Sequence, residues 1–171
     1  MAFCKLPALE TTMGMEYTIV TSPPKRIADQ LTAAFPSSGA AGVAVVPVAL
    51  RAGVDLSKGG GAAEAERERL ADQFTQWAVA VAGRLSSKGH WADYVDPTTH
   101  TAVMHNEAGA TFAEAEAVAL LLGYKAPIAN REFLLLHPKW GGAAFAGTLL
   151  ARAPEAAVRE AIAAVAAQCA A

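Results

Sequence analysis

The sequence contains little cysteine and little net charge of either sign. Its 171 residues include two cysteines, Cys4 and Cys169, which lie near opposite ends of the chain. Two thiols placed in this way exclude a disulfide framework, a cysteine-rich zinc site and a Cys-x-x-Cys redox motif, and they suit a reducing compartment. The 14 basic and 16 acidic residues leave a net charge of −2. We therefore expect no nucleic-acid partner, because nucleic-acid-binding domains usually carry a clear basic excess.

Long hydrophobic runs are also missing. The apolar runs at residues 43–50 and 133–136 are far shorter than the roughly 20 residues that a helix needs to cross a bilayer. Residues 1–15 contain neither the apolar core of a signal peptide nor the arginines of a mitochondrial transit peptide. We therefore expect no contact with a membrane and a cytoplasmic location, with a mitochondrial location as the alternative.

Alanine dominates what is present. The chain has 41 alanines in 171 residues, so much of its 53% hydrophobic content consists of single methyl groups. The larger apolar residues still suffice for one core, because a domain of this size buries roughly 70% of its unfolded surface. We predict one domain over residues 16–171, preceded by an N-terminal extension over residues 1–15.

The first half of the chain predicts two strands and a helix between them. Residues 16–20 are expected to form a short strand. A helix is predicted to begin near Ser22-Pro23-Pro24 and to end at Phe35-Pro36, because proline is favoured in a first turn. The β-branched run at residues 43–50 is typical of a buried strand. Since Pro47 cannot donate to a sheet ladder, we expect an edge strand or a bulge there.

A long helix is predicted from Ala62 onwards. Its large apolar residues recur at helical spacing and are expected to face the core; they are Leu70, Phe74, Trp77, Val81 and Leu85. The glycines of residues 59–61 precede it and predict a mobile loop, whose role the sequence leaves open. A phosphate-binding loop is not indicated, because the pattern Gly-x-x-x-x-Gly-Lys-Ser/Thr is missing.

The second half of the chain predicts strands in hairpins. Residues 90–96 are expected to form a strand, with a turn at residues 96–99 and a short return strand at residues 101–105. Thr111 precedes Glu114 by three residues, the spacing of a capping box, and Gly123 is a natural helix end. Residues 132–137 and 143–150 are expected to pair as a hairpin. An alanine-rich helix is predicted from Pro154, with an apolar face formed by Val158, Ile162 and Val165.

About five strands and four helices in this order predict an α+β fold, with a mixed, largely antiparallel sheet and flanking helices. The residues alone predict no catalytic site and no metal site. His100 and His105 lack further ligands at the spacing that zinc sites use. Asp93 and Asp96 are expected on opposite faces of a strand, which excludes a shared-proton pair.

Two motifs resemble a known family. The run His90-Trp91-Ala92-Asp93-Tyr94-Val95-Asp96-Pro97 follows Gly89 and a long helix, and it resembles a signature of the methylmalonic aciduria and homocystinuria type D proteins, called CblD. The turn His137-Pro138-Lys139-Trp140-Gly141 is similar to the His-x-x-Trp-Gly turn of that family. Leu121-Leu122-Gly123-Tyr124 stands at a third matching place, and the resemblance extends over roughly residues 16–154.

The resemblance implies a nitroreductase-related scaffold without a flavin of its own. It also implies a non-enzymatic adaptor in intracellular cobalamin trafficking, which contacts a CblC-type processing protein and meets cobalamin only through that partner. The matching signature residues are expected to be structural; they are Trp91, Asp93, Tyr94, Asp96, Pro97, His137, Trp140 and Gly141.

One feature of the family is replaced in this chain. A Cys-Cys pair lies shortly before the His-x-x-Trp-Gly turn in the family, and its place is taken here by Arg131 and Glu132. Neither side chain can supply a soft thiolate ligand to cobalt. Two alternatives to the adaptor therefore stay open: a CblD-like domain reused as a structural subunit of a larger assembly, and an enzyme of nitroreductase type.

Overall fold

The computed structural model describes residues 14–39, 42–105, 110–124, 128–129 and 132–170. Within these ranges the chain forms a four-stranded antiparallel sheet of order β1-β2-β6-β3, a two-stranded sheet β4-β5 and four α-helices. The strands are β1 (Met15–Tyr17), β2 (Ala44–Arg51), β3 (Trp91–Tyr94), β4 (Ile128–Ala129), β5 (Glu132–Phe133) and β6 (Ala144–Arg152). The helices are α1 (Lys25–Ala34), α2 (Gly61–Ser87), α3 (Glu114–Leu122) and α4 (Glu155–Ala170). The α+β class is confirmed.

Helices α2 and α4 cover one face of the main sheet. Side chains of a strand alternate between the two faces, and Val46 and Val48 of β2 point towards α2. The predicted apolar stripe of α2 is confirmed, because all five of its residues are buried in this core. The predicted face of α4 is buried there as well.

Helices α1 and α3 lie on the opposite face. Ile27 and Leu31 of α1 pack on Val45 of β2 and on Leu150 of β6, while Val118 of α3 packs on Ala49. The helix predicted between Ser22 and Phe35 is therefore confirmed. The sheet is the middle layer of three, and each of its faces has its own apolar core.

Pro47 lies in an interior strand, so the prediction of an edge strand or a bulge is wrong. β2 is flanked by β1 and β6, and Pro47 is opposite Thr148 of β6 in an unbroken register. The backbone N–H groups of Val45 and Arg51 donate towards β1, to Val20 and Gly14. The alternation of the strand directs the nitrogen of Pro47 to the same side, opposite the short segment between Tyr17 and Val20. The hydrogen-bond ladder is interrupted at the proline and resumes in the same register at the Val20–Val45 bridge.

The predicted hairpin of residues 132–137 and 143–150 is also wrong. β5 pairs with β4 in the small sheet, whereas β6 lies between β2 and β3. The predicted return strand at residues 101–105 is reduced to a single bridge between Val95 and Ala102. The sheet consequently pairs strands that are distant in sequence. Local sequence patterns do not indicate such pairings.

The start of α3 differs from the predicted capping box. The helix begins at Glu114 after Ala113, and no side chain caps its N-terminus. Glu114 is buried, with 4% of its surface exposed, rather than folded back on the helix end. At the other end the prediction is confirmed, because Gly123 adopts the left-handed backbone conformation that ends many helices.

Candidate functional site

The signature strand begins with a partly buried aromatic contact. The Trp91 indole N–H donates to Ser37 Oγ at 3.2 Å, and the Trp91 ring meets Phe35 edge-on. On its other side the Trp91 ring stacks on His105, with 5.1 Å between the ring centroids. Trp91 therefore joins β3 both to the end of α1 and to the segment that follows the strand.

The carboxyl group of Asp93 organises that following segment. Asp93 is fully buried, and its Oδ1 accepts hydrogen bonds from the backbone N–H groups of Tyr94, Val103 and Met104. Its Oδ2 accepts a fourth from the N–H of His105 at 3.0 Å. The four donors converge on one side chain, so Asp93 fixes the path of residues 103–105 along the edge of β3.

Asp96 and Pro97 form the turn that the sequence predicts. Asp96 Oδ1 accepts from the N–H groups of Thr98 and Thr99, as an Asp at the start of a turn commonly does. Tyr94 lies inside the core against Phe74, and burial is the main cause that raises the pKa of its hydroxyl. Asp93 and Asp96 thus serve separate sets of donors and share no proton.

The second signature forms a tight turn around His137. Its Nδ1 accepts from the N–H groups of Lys139 and Trp140, at 3.0 and 3.1 Å. The imidazole stacks on the Trp140 ring with centroids 3.7 Å apart, and His137 and Gly141 exchange two backbone hydrogen bonds. Gly141 has a φ of +57°, a left-handed conformation that favours glycine.

Glu16 connects this turn to the first strand. Because His137 Nδ1 accepts two hydrogen bonds, the ring proton is on Nε2, which lies 2.9 Å from Glu16 Oε2 but out of line for a hydrogen bond. The Tyr124 hydroxyl donates to the same carboxylate oxygen, and the Tyr124 ring meets His137 edge-on. Three distant segments of the chain are held together at this point.

The place of the family's thiol pair is only partly described. Arg131 lies outside the described residues, and Glu132 is described only through its backbone, which pairs with Ala129. Within the described ranges, no three His, Cys, Asp or Glu side chains come together as a metal ion would require.

A cleft of about 900 Å³ lies beside β6. One wall is the first half of α2, and the other is formed by the turn at residues 97–100 and the segment leading into α3. His100 is part of this second wall. It has a φ of +58°, and its carbonyl accepts from the Phe112 N–H at 2.8 Å. The strained His100 thereby joins the two segments of the wall.

Glu114 is the chemically unusual residue of the cleft. It lines the cleft, it is almost completely buried, and its Oε2 has no hydrogen-bond partner among the described residues. Burial raises the pKa of this carboxyl group well above its ordinary value, while the neighbouring Thr148 hydroxyl offsets part of the increase. Burial therefore favours the protonated form of Glu114 over its ionised form.

Replacing Glu114 by Gln should remove the part of the pH dependence of the free energy of unfolding that comes from ionisation of this carboxyl group. In the unfolded chain the carboxyl group ionises above a pKa of about 4.5, whereas in the folded chain it stays protonated to a higher pH. The stability that Glu114 provides is therefore complete below pH 4.5 and is lost as the pH rises towards the folded pKa. We expect the free energy of unfolding of E114Q, relative to that of the parent, to increase between pH 4.5 and pH 7.5.

Urea unfolding of both proteins at pH 4.5 and pH 7.5 measures this difference. The matched control is Glu64→Gln, the same change at an exposed position of α2. E64Q should differ from the parent by the same amount at the two pH values. An E114Q advantage that does not grow between pH 4.5 and 7.5 would contradict the assignment.

Sequence reasoning missed the cleft and its buried acid. The spacing of Thr111 and Glu114 suggested a local helix cap, and nothing in the pattern indicated that Glu114 points into the interior. The residues that line the cleft with Glu114 come from β6, α2 and the turn at residues 97–100. Only the folded chain brings them together.

The described structure is a small α+β domain whose two signature motifs are tied into the sheet by buried polar contacts. The chain belongs to the methylmalonic aciduria and homocystinuria type D protein family, whose model matches residues 7–162. A search of curated proteins gives no significant match. Among the described helices, none combines the length and the apolar character required to span a bilayer.

Proposed function

We propose that this chain is a non-enzymatic adaptor in intracellular cobalamin trafficking, which acts by binding a CblC-type processing protein. The observation that carries the proposal is the family match over residues 7–162, since membership of this family supports a role in cobalamin metabolism. The adaptor role, the CblC-type partner and a relation to the nitroreductase scaffold are further parts of the proposal. In it, cobalamin is met only through the partner.

The geometry of the signature motifs supports a binding role. Asp93 and His137 are buried, and the Asp93 carboxylate and the His137 Nδ1 accept hydrogen bonds from the backbone of their own chain. Such residues shape the loops at one edge of the sheet and at the turn before β6. Those loops and the β3 edge of the sheet are the surfaces that the adaptor offers to its partner.

A second candidate function is a CblD-like domain reused as a structural subunit of a larger assembly. The replacement of the family's thiols by Arg131 and Glu132 favours it, because the chain then lacks the soft ligand that the resemblance implies for cobalt. Elution of the native chain with stoichiometric partners other than a CblC-type protein would support this candidate. Elution only as a free monomer would argue against it.

Binding of the purified chain to a CblC-type protein loaded with cobalamin tests the adaptor. We expect co-elution at micromolar concentrations, and no complex under these conditions would contradict the proposal. Absorbance and fluorescence of the purified chain test the nitroreductase-type alternative. A colourless protein without flavin fluorescence would contradict it.

Arg131→Cys should give the adaptor complex a cobalt–thiolate absorbance that the parent lacks. The matched control is Arg159→Cys, which places a thiol on the exposed face of α4. We expect a changed visible spectrum of the ternary mixture for R131C and an unchanged spectrum for R159C. Identical spectra would show that residue 131 does not occupy the place of the family's thiol.

A further inference from the structure

Half of β6 has an unpaired edge. β6 contains nine residues, but β3 contains four and pairs only with the last part of β6, from Leu149 to Arg152. One more bond, from the Val95 N–H to the Thr148 carbonyl, continues this pairing. Before Thr148, no described strand lies on this side of β6.

The backbone groups of Ala144 and Ala146 point to this open side. The Ala52 N–H donates to the Ala143 carbonyl across the β2–β6 ladder, so bonds to β2 recur at the odd-numbered residues of β6. The even-numbered residues must then direct their N–H and C=O groups away from β2. Both alanines line the cleft; Ala146 is partly exposed, whereas Ala144 is nearly buried against α3.

The cleft is thus a slot along the open edge of β6. Its floor is the open edge of β6, and its walls are α2 on one face of the sheet and the segment leading into α3 on the other. The α2 wall carries the exposed carboxylates of Glu64 and Glu68, one helical turn apart. Arg67 lies between them but donates to the Leu56 carbonyl.

The opposite wall combines partly exposed apolar residues, Pro97, Ala113 and Leu134, with the exposed polar side chain of His100. The unpartnered carboxyl group of Glu114 lies at the same wall. A strand inserted in the slot would direct alternate side chains to the two walls. One set would meet carboxylates, and the other would meet apolar side chains.

We propose that the open edge of β6 binds an extended segment of a partner protein by strand addition, and that apolar residues alternate with Lys or Arg in this segment. Strand addition is a common mode of peptide recognition in which backbone hydrogen bonds give affinity and alternate side chains give specificity. The charge of Glu64 and Glu68 selects the basic residues. The inference stands independently of the cobalamin partner, because it rests only on the slot.

The first test uses the peptide Ac-VKVKVKV-NH2 and its acidic counterpart Ac-VEVEVEV-NH2 with the full chain. We expect the basic peptide to bind at least tenfold more tightly, with a difference that decreases as salt is added. Backbone amide exchange should slow at Ala144 and Ala146 when the basic peptide is bound. No binding of the basic peptide at millimolar concentration, or equal binding of both peptides, would overturn the proposal.

Ala146→Pro removes one of the donors that the added strand requires. Proline is tolerated in a strand where its nitrogen faces away from the ladder, so the pairing of β6 with β2 should survive. We expect A146P to bind the basic peptide at least tenfold more weakly while its urea unfolding remains cooperative. Unchanged affinity would overturn the proposal.

A charge variant keeps the test valid if A146P does not fold. Glu64→Gln combined with Glu68→Gln should weaken the basic peptide at least fivefold. The matched control combines Glu155→Gln with Glu160→Gln, two exposed carboxylates on α4. Equal effects of the two double variants would show that the slot does not select the peptide.

Other occupants of the slot would be revealed by exchange in the free protein. We expect the amide of the partly exposed Ala146 to exchange faster than those of Phe145 and Gly147. Equally slow exchange in a monomer would mean that another part of this chain covers the edge. Slow exchange that appears only with dimer formation would mean a second copy. Either result would overturn the proposal, and neither would bear on binding of a CblC-type protein.

Discussion

Replacing Asp93 by Ala should destabilise the protein by about 4 kcal/mol, the largest effect that we expect from one substitution. The Asp93 carboxyl group accepts four backbone hydrogen bonds in a fully buried position. A buried N–H that loses its acceptor costs about 1–3 kcal/mol, and part of this cost is recovered if residues 103–105 open towards water. Urea unfolding at pH 7 measures the loss.

Two comparisons distinguish this role from a general sensitivity of the strand. Asp93→Asn retains one acceptor oxygen and should lose about half as much stability. Asp96→Ala, in the same signature, removes an acceptor from a partly exposed turn and should cost about 1 kcal/mol. If D93A costs no more than D96A, the four hydrogen bonds do not hold the segment as described.

The helices could be predicted because their signal is local and repeated. The five apolar residues of α2 recur every three or four positions, and burial of that stripe on the sheet is the only arrangement that removes all of them from water. The same argument applies to Ile27 and Leu31 of α1. Helix ends were less certain, since Glu114 satisfies a local spacing but is directed inwards.

The sheet could be predicted only in part because its pairings join distant segments. The run that contains Pro47 has the composition of a strand, yet its place in the sheet depends on where β1 stops. Likewise, β6 pairs with strands from two other regions of the chain. The sequence of β6 does not indicate that β3 is too short to pair with its whole length. The open edge results from the unequal lengths of β3 and β6.

The signature motifs were located from a family resemblance, and their chemistry became clear only from the fold. The residues next to Asp93 in the sequence do not indicate that its carboxyl group is buried and hydrogen-bonded. Three of the four N–H groups that donate to it lie ten to twelve residues later. His137 likewise meets Glu16, which lies near the start of the chain. Contacts of this range depend on tertiary structure and leave no periodic signal.

Replacing Gly147 by Ala should destabilise the protein by about 3 kcal/mol. A Cβ added at Gly147 would lie 2.4 Å from two carbon atoms of the Phe74 ring, which is far inside the contact distance of real side chains. Phe74 is itself fixed between Trp77 and Tyr94, so it cannot move without disturbing the core of the α2 face. Overpacking of a well-packed core commonly costs about 1–3 kcal/mol.

Gly83→Ala provides the matched comparison and should have the opposite sign. Gly83 lies in the middle of α2, and a Cβ added there meets no atom within 4 Å. Alanine is favoured over glycine in a helix interior by about 0.5–1 kcal/mol, so G83A should stabilise the chain. Urea unfolding of the two variants beside the parent measures both changes. Because the same methyl group is added in each, a difference of about 4 kcal/mol between them would be due to the contact of β6 with Phe74. Equal stabilities would mean that α2 does not pack on β6 at this distance.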